Sequence, residues 1–375
     1  MVVYSSGMQH LQQSFNSNIL SIAHANSVID RKRPVTAVVC CRTWWYPLEE
    51  RSKMATSQRK KGGVQRVEGK LRACIERGDY YEAHQMYRTL YFRYSAQKKY
   101  SEALELTYSG ASLLLEHNQL CSGADLAMLW LEVLTQANIH VSKENIDRAM
   151  SLFKDLEADS PERISYINAA LKWTKTVHPD ETSGHPQLHN QLAIVFWKEK
   201  NYIQSRYHFL HCSDGQGCAT MLIELSLQQG FPSEVDLFIA QTVFQYLCLN
   251  NKSTAKVTYM TYTESHPQIE DGPPFQKPLL NFVWYLLLAV EDCLTGGSSG
   301  KVTVFSVLCD VYQPSIRRDP SYLQYLDRIG QLFFGLPPPQ QSGGSGLLDN
   351  LIQSFLRGEE EDTPPPAQPE EEDVD

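Results

Sequence analysis

The sequence lacks the features that mark most functional classes. Its nine cysteines, at 40, 41, 74, 121, 212, 218, 248, 293 and 309, are odd in number and form no Cys-x-x-Cys pair. Neither a disulfide framework nor a finger-type zinc site is indicated, and the expected setting is the reducing cytosol. Long apolar runs are missing too. Pro278 to Val290 is almost wholly apolar but stops at Glu291 and Asp292, short of the roughly 18 residues a membrane span needs, so it reads as a buried core helix. The apolar stretch Pro34 to Cys41 after Arg31-Lys-Arg33 starts too late and is too short for a cleavable signal. Clustered positive charge on a folded body is also scarce. The net charge is −9, which argues against nucleic acid, since phosphate binding needs a basic face.

Catalytic and cofactor signatures are equally thin. No Gly-x-Ser-x-Gly elbow occurs. Gly296-Gly-Ser-Ser-Gly-Lys301 is one residue short of a phosphate loop, carries Val302 where Ser or Thr would hold magnesium, and follows no strand. Gly215-Gln-Gly217-Cys-Ala-Thr220 fails the dinucleotide fingerprint at its third glycine. His185-Pro-Gln-Leu-His189 lacks the glutamate of a zinc protease helix. The best metal-like group, His208-Phe-Leu-His211-Cys212-Ser-Asp214, has no second ligand pair at finger spacing and reads better as a helix end with buried histidine. No catalytic residue, cofactor or metal is expected, so the chain does not read as an enzyme.

What is present is a repeated helical design. Arg77-Gly-Asp-Tyr-Tyr-Glu-Ala-His-Gln-Met-Tyr-Arg-Thr-Leu-Tyr-Phe-Arg-Tyr94 holds a glycine stop at Gly78. It then offers Asp79 and Glu82 as a capping box. Tyr80, Ala83, Tyr87, Leu90, Tyr91 and Tyr94 follow on one helical face. Tyr-x-x-Ala recurs at Tyr100/Ala103 and weakens to Tyr-x-x-Ser at Tyr202/Ser205. Recurrent short helices with small residues at close contacts predict an all-α fold, an α-solenoid of TPR-like helical pairs, a class that mostly binds other proteins.

The organisation expected from this pattern is a disordered extension over 1–61, with a natural start at Met54, then the solenoid over 62–335. Ser122-x-x-Asp125, Ser142, Ser160-Pro161, His185-Pro186 and Ser233-x-x-Asp236 read as helix starts. Val257-Thr-Tyr-Met-Thr-Tyr262 alternates as a strand might. The proline-rich insertion at 266–278 reads as a protruding loop or short β-hairpin. A Pro/Gly linker over 336–346 leads to a short amphipathic helix over 347–357, with Leu347, Leu348, Leu351, Ile352, Phe355 and Leu356 as its apolar stripe. An acidic disordered tail over 358–375 closes the chain.

Several segments resemble one family in collinear order from about Gly62 to Phe355. They are Gly78-Asp-Tyr-Tyr-Glu-Ala-His-Gln with Arg88-Thr and Arg93-Tyr94, Tyr108-Ser-Gly-Ala111, His185-Pro-x-Leu-His189, Ser205-Arg-Tyr-His-Phe-Leu-His211, Glu270-Asp-Gly-Pro-Pro-Phe275 and Asp327-Arg-Ile-Gly-Gln-Leu-Phe-Phe-Gly335. The resemblance is to the Golgi to ER traffic protein 4 family, scaffold subunits that help deliver tail-anchored membrane proteins to the endoplasmic reticulum, in its metazoan form. It implies an α-solenoid whose first helices dock the targeting ATPase. It also implies a C-terminal half that clasps a ubiquitin-like adaptor or a Scythe-type BAG-domain holdase and covers the holdase's nuclear-localisation segment.

The family's polar docking residues map to His84 and Asp125, in matching His-Gln and Ser-Gly-x-Asp-Leu contexts. Its protruding element maps to the 266–278 loop, with Ile269, Glu270, Asp271 and Phe275 facing the holdase or adaptor. Without the resemblance, the alternative is a generic helical-repeat scaffold of a proteasome-lid-like complex. The read of His84 as a buried hydrogen-bonded histidine, and of Asp125 as a helix cap, stands beside the docking roles.

Overall fold

The joints between helices set the architecture, and they share one geometry. The computed structural model describes residues 58–291 and 298–337. Helix α1 (Gln58–Arg77) meets α2 (Tyr80–Ala96) through Gly78, and α2 meets α3 (Tyr100–Glu116) through Lys98. α3 meets α4 (Leu120–Gln136) through Asn118. Each joint residue has positive φ, at 78°, 56° and 61°. In each, the amide of the residue after the joint reaches back to an orphan carbonyl: Asp79 to Cys74 at 2.9 Å, Lys99 to Tyr94 at 2.9 Å and Gln119 to Leu114 at 2.8 Å. That closure satisfies the last turn and folds the chain back within three residues. The joint recurs at Lys200, between α7 (Pro186–Lys198) and α8 (Tyr202–Leu210), and at Asn250, between α10 (Val235–Cys248) and α11 (Lys252–Ser265).

The remaining helices are α5 (Lys143–Asp155), α6 (Pro161–Val177), α9 (Gly215–Gln229), α12 (Pro278–Val290), α13 (Ser298–Val311), α14 (Gln313–Ile316) and α15 (Ser321–Phe334). All fifteen elements are helices, with no strand among the described residues. The all-α solenoid-type arrangement of consecutive helical pairs is thus as the periodicity predicts. The chain divides between Trp173 and Thr174 into two compact units.

In the first unit the small residues of the repeat lie where helices approach most closely. Ala83 and Ala103 are fully buried. Gly110 of α3 faces the Tyr87 ring and Leu126, and Gly123 of α4 faces Leu115; a Cβ on either glycine would come within 3 Å of those side chains. Trp130, Leu131 and Leu134 complete the core with Ile146, Leu152 and Phe153 of α5. Each fully buried large side chain contributes roughly 1.5–3 kcal/mol.

The second unit is organised around α10, all fourteen residues of which are buried. Its polar residues have partners that the linear pattern does not reveal. Arg206 donates to Gln241 at 3.1 Å and to Gln245 at 2.6 Å, and Arg318 donates to Asp236 at 2.5 Å. Neighbouring tyrosines are buried ring and hydroxyl alike: Tyr246 donates to the Phe209 carbonyl, Tyr259 to Leu280, Tyr262 to Val235 and Tyr322 to Leu237.

Several local expectations are corrected. Residues 257–262 are helical, because Tyr259 and Tyr262, three apart on α11, both turn inward. Asp79 sits at the N-cap of α2, but its carboxylate accepts from Arg77 at 2.9 Å, and no side-chain cap forms. The starts at Ser122-x-x-Asp125 and Ser233-x-x-Asp236 are displaced. α4 begins at Leu120 after Gln119 and α10 at Val235 after Glu234, so both aspartates lie inside helices. Ser142, His185 and Asp214 do cap, accepting from the amides of Asn145, Gln187 and Gly217. Helix α1 starts at Gln58, inside the stretch expected to be an extension. The proposed start at Met54, the segment at 347–357 and the acidic tail lie outside the described residues.

Candidate partner-binding sites

The first site is built where α2 and α4 pack. Asp125, one turn into α4, is half-buried and faces α2. His84 Nε2 lies 2.8 Å from its Oδ2, and Arg88 Nη1 donates to Oδ1 at 2.6 Å. A carboxylate only accepts, so the shared proton sits on His84 Nε2. Nδ1 then faces the Gln85 amide at 3.4 Å. Partial burial would raise the Asp125 carboxyl, but the His84 hydrogen bond and the Arg88 charge outweigh it and hold it below the usual carboxylate range. Outward on α2, Tyr81 and Phe92 are 75% and 54% exposed. They lie on one face with Gln85 and Arg88, and the Arg88 guanidinium stands 5.9 Å from the Phe92 ring centroid.

Both site residues expected from the sequence are therefore brought together. His84 is buried, as the hydrogen-bonded reading has it, while Asp125 is not a cap, because its helix has already begun. Arg88, the third member, was missed as a site residue. Its position four residues after His84 was the available signal, since that spacing places both on one helical face.

The second site is the 266–278 loop, pinned at both feet. His266 is buried, lies 3.3 Å from the Ser226 hydroxyl through Nε2 and accepts from the Gln268 amide through Nδ1. Phe275 is buried edge-on against Tyr259, with its amide and carbonyl both bonded to the Asn281 side chain, at 2.8 and 2.7 Å. Gly272 lies directly against the Phe275 ring, so close that a side chain there would collide. Between the feet, Ile269 is half-buried while Glu270 and Asp271 are exposed, and Gln276 donates to Glu270. Phe275 thus sits in the core as the loop's anchor, and the surface between 266 and 275 is acidic and proline-rich. It contains no strand.

The histidine-rich segment has a different character. His189 and His208 face each other through Nδ1 at 2.9 Å, and His189 Nε2 donates to the Ser183 carbonyl at 3.0 Å. His208 stacks on Phe196, and His211 lies 5.1 Å from His189 between ring centroids. Burial pushes His189 down to about 4 and His211 to about 3, with His208 also well below its ordinary value. The rings are neutral. Among the described residues, no group of three or more His, Cys, Asp or Glu is arranged to hold a metal. Nor is any described helix long and apolar enough to cross a membrane.

Comparison with known proteins shows what the chain as a whole is similar to. A family profile described as Golgi to ER traffic protein 4 matches residues 97–356. A Golgi to ER traffic protein 4 homolog from Homo sapiens is 56% identical over 313 residues, covering 84% of this chain and 93% of the relative. The homolog from Xenopus tropicalis is 57% identical over 300 residues, covering 80% of this chain and 90% of the relative. A solved structure titled as C. therm. Get4 is similar with a TM-score of 0.66 at 23% identity, over 82% of this chain and 100% of that one. At that identity the likeness speaks to the fold.

Proposed function

This chain belongs to the Golgi to ER traffic protein 4 family, and from that membership we propose that it is a non-catalytic cytosolic scaffold in the delivery of tail-anchored proteins to the endoplasmic reticulum. In this reading its first helices dock the targeting ATPase through His84, Arg88 and Asp125. Its second unit holds a BAG-domain holdase and a ubiquitin-like adaptor at the 266–278 loop and covers the holdase's nuclear-localisation segment. Tethering both partners raises their effective concentration and speeds transfer of a hydrophobic client without new chemistry.

The observation that carries the reading is family membership over most of the chain, joined to the His84–Asp125 pair at 2.8 Å on the α2–α4 face. A charged, partly exposed cluster favours fast, salt-sensitive docking. An acidic loop held by a buried phenylalanine offers a defined surface whose anchor is independent of any partner.

The test is co-purification of the full chain with the targeting ATPase, and separately with the holdase C-terminal segment and adaptor. Arg88→Glu should abolish only the first complex, and Glu270→Lys with Asp271→Lys only the second. A folded chain that captures neither wild-type partner would overturn the proposal.

A further inference from the structure

Two arginines of the second unit carry charge that no carboxylate balances at close range. Arg206 of α8 lies against α10, where its guanidinium donates to the side-chain oxygens of Gln241 at 3.1 Å and Gln245 at 2.6 Å. Both are neutral amides, and the Arg206 Nε is buried with no acceptor. The Asp319 carboxylate acts on Arg206 at longer range, its Oδ1 being held by the amide and hydroxyl of Ser321. Arg328 of α15 also has a buried Nε with no acceptor, and it forms no ion pair among the described residues. Asp327, next along α15, lies by Cys309 of α13 instead. Arg88, Arg148 and Arg318, by contrast, each sit on a carboxylate. Taking a guanidinium out of water with no counter-charge is costly, and burial pushes the Arg206 pKa down.

Tyr325 ties the two arginines together. Its hydroxyl accepts from the Gln245 amide at 3.1 Å, and its own proton meets no acceptor among the described residues. The Cys248 thiol, one turn beyond Gln245, donates to the Tyr325 carbonyl at 3.6 Å, and the Arg328 charge acts on that thiol. Side chains lean towards the start of their helix, which brings Arg328 back towards Tyr325. Gln324, on the same face of α15, has its side-chain oxygen buried without a donor; turned over, its amide adds a further N–H. Arg206, Tyr325 and Arg328 are all half-buried, so the seam is open from outside. It gathers two guanidiniums and a hydroxyl, all able to donate. Planar carboxylates and phosphates match guanidinium donors in geometry, and such charge-assisted bonds are about twice as strong as neutral ones.

We propose that Arg206, Tyr325 and Arg328 form an oxyanion site on the seam of α8, α10 and α15. It takes a carboxylate or a phosphoryl group from a molecule other than this chain.

The experiment follows phenylglyoxal modification of each arginine in the full chain by peptide mapping. Inorganic phosphate or glutarate is the probe, at constant ionic strength. Arg72 and Arg93, exposed on the first two helices, are the internal references. As either probe is raised, modification of Arg328 should level off about tenfold slower, the mark of a site about nine-tenths filled. The references should hold their rates. Tyr325→Phe removes one donor and should raise the half-protecting concentration roughly tenfold. Arg206→Gln should abolish protection, and the phenylalanine variant decides the matter if Arg206→Gln does not fold. Protection by phosphate alone assigns a phosphoryl group, and by glutarate alone a carboxylate; either supports the site. An Arg328 already unreactive without a probe is covered by the chain itself, which overturns the proposal. So does a rate that falls equally at all three arginines, one that ignores both probes, or protection that Tyr325→Phe leaves unchanged.

Discussion

His84 and Asp125, forty-one residues apart in sequence, meet at 2.8 Å between α2 and α4. The contact joins the second helix to the fourth and leaves Arg88, on the second carboxylate oxygen, at the surface. One pair thus serves packing and presents a charge outward. Asp125→Ala should cost about 1 kcal/mol of stability, the net worth of a part-buried hydrogen bond, and weaken ATPase docking roughly tenfold or more. Arg88→Ala should weaken docking with little change in unfolding midpoint. Because the Asp125 pKa is lowered in the folded state, its stabilisation is present above the ordinary carboxylate range and is lost as pH falls through its folded value. Loss of stability in Arg88→Ala equal to that in Asp125→Ala, with docking unchanged in both, would assign the cluster a packing role alone.

The buried imidazoles His189, His208 and His211 should make the second unit acid-sensitive. Burial lowers all three, with Lys175 and His185 adding positive charge near His189. The unfolded chain then binds protons that the folded one refuses. Stability is fully present above about pH 6.5 and falls towards pH 4, by about 1.4 kcal/mol per pH unit for each histidine. Urea midpoints measured at pH 7.5 and 5.5 check this, and His208→Gln should flatten the dependence. Identical midpoints at the two values would contradict it.

Asp236 is buried on α10, and Arg318 faces it at 2.5 Å while also donating to the Ser233 carbonyl at 2.8 Å. Arg318→Leu strands a buried charge and should cost about 3–5 kcal/mol. The double variant Arg318→Leu/Asp236→Leu should recover much of that loss. Chemical denaturation of the two proteins separates a pair needed for balance from one that stabilises outright.

Gly110 holds α3 against α2 and α4, with the Tyr87 ring 2.7 Å and Leu126 2.9 Å from where a Cβ would stand. Gly110→Val should destabilise by about 1–3 kcal/mol through overpacking, visible as a lower thermal midpoint. Gly69, with open space around it, is the control: Gly69→Ala should be neutral or mildly stabilising.

Some of this was legible before any coordinates. The three- and four-residue spacing of Tyr87, Leu90, Tyr91 and Tyr94 determines a helix and its buried face, because only one side of a 3.6-residue turn can meet a neighbour. The buried small residues Ala83, Ala103 and Ser205 were legible for the same reason. Gly78 was readable as a left-handed stop, since glycine adopts that conformation freely. Asn118 and Asn250 adopt it too, as asparagine readily does, but at Lys98 and Lys200 nothing in the side chain announces it. The helices on either side impose it. Asp125 and Asp236 read locally as caps, which was the best inference from neighbours along the chain. Their partners, His84 and Arg88 for one and Arg318 for the other, lie 37 to 82 residues away. A carboxylate's role depends on which charges packing brings within about 3 Å, and linear spacing carries no such distance. Periodicity determined the helices and their apolar faces; only the tertiary structure decided which polar groups those faces bring together.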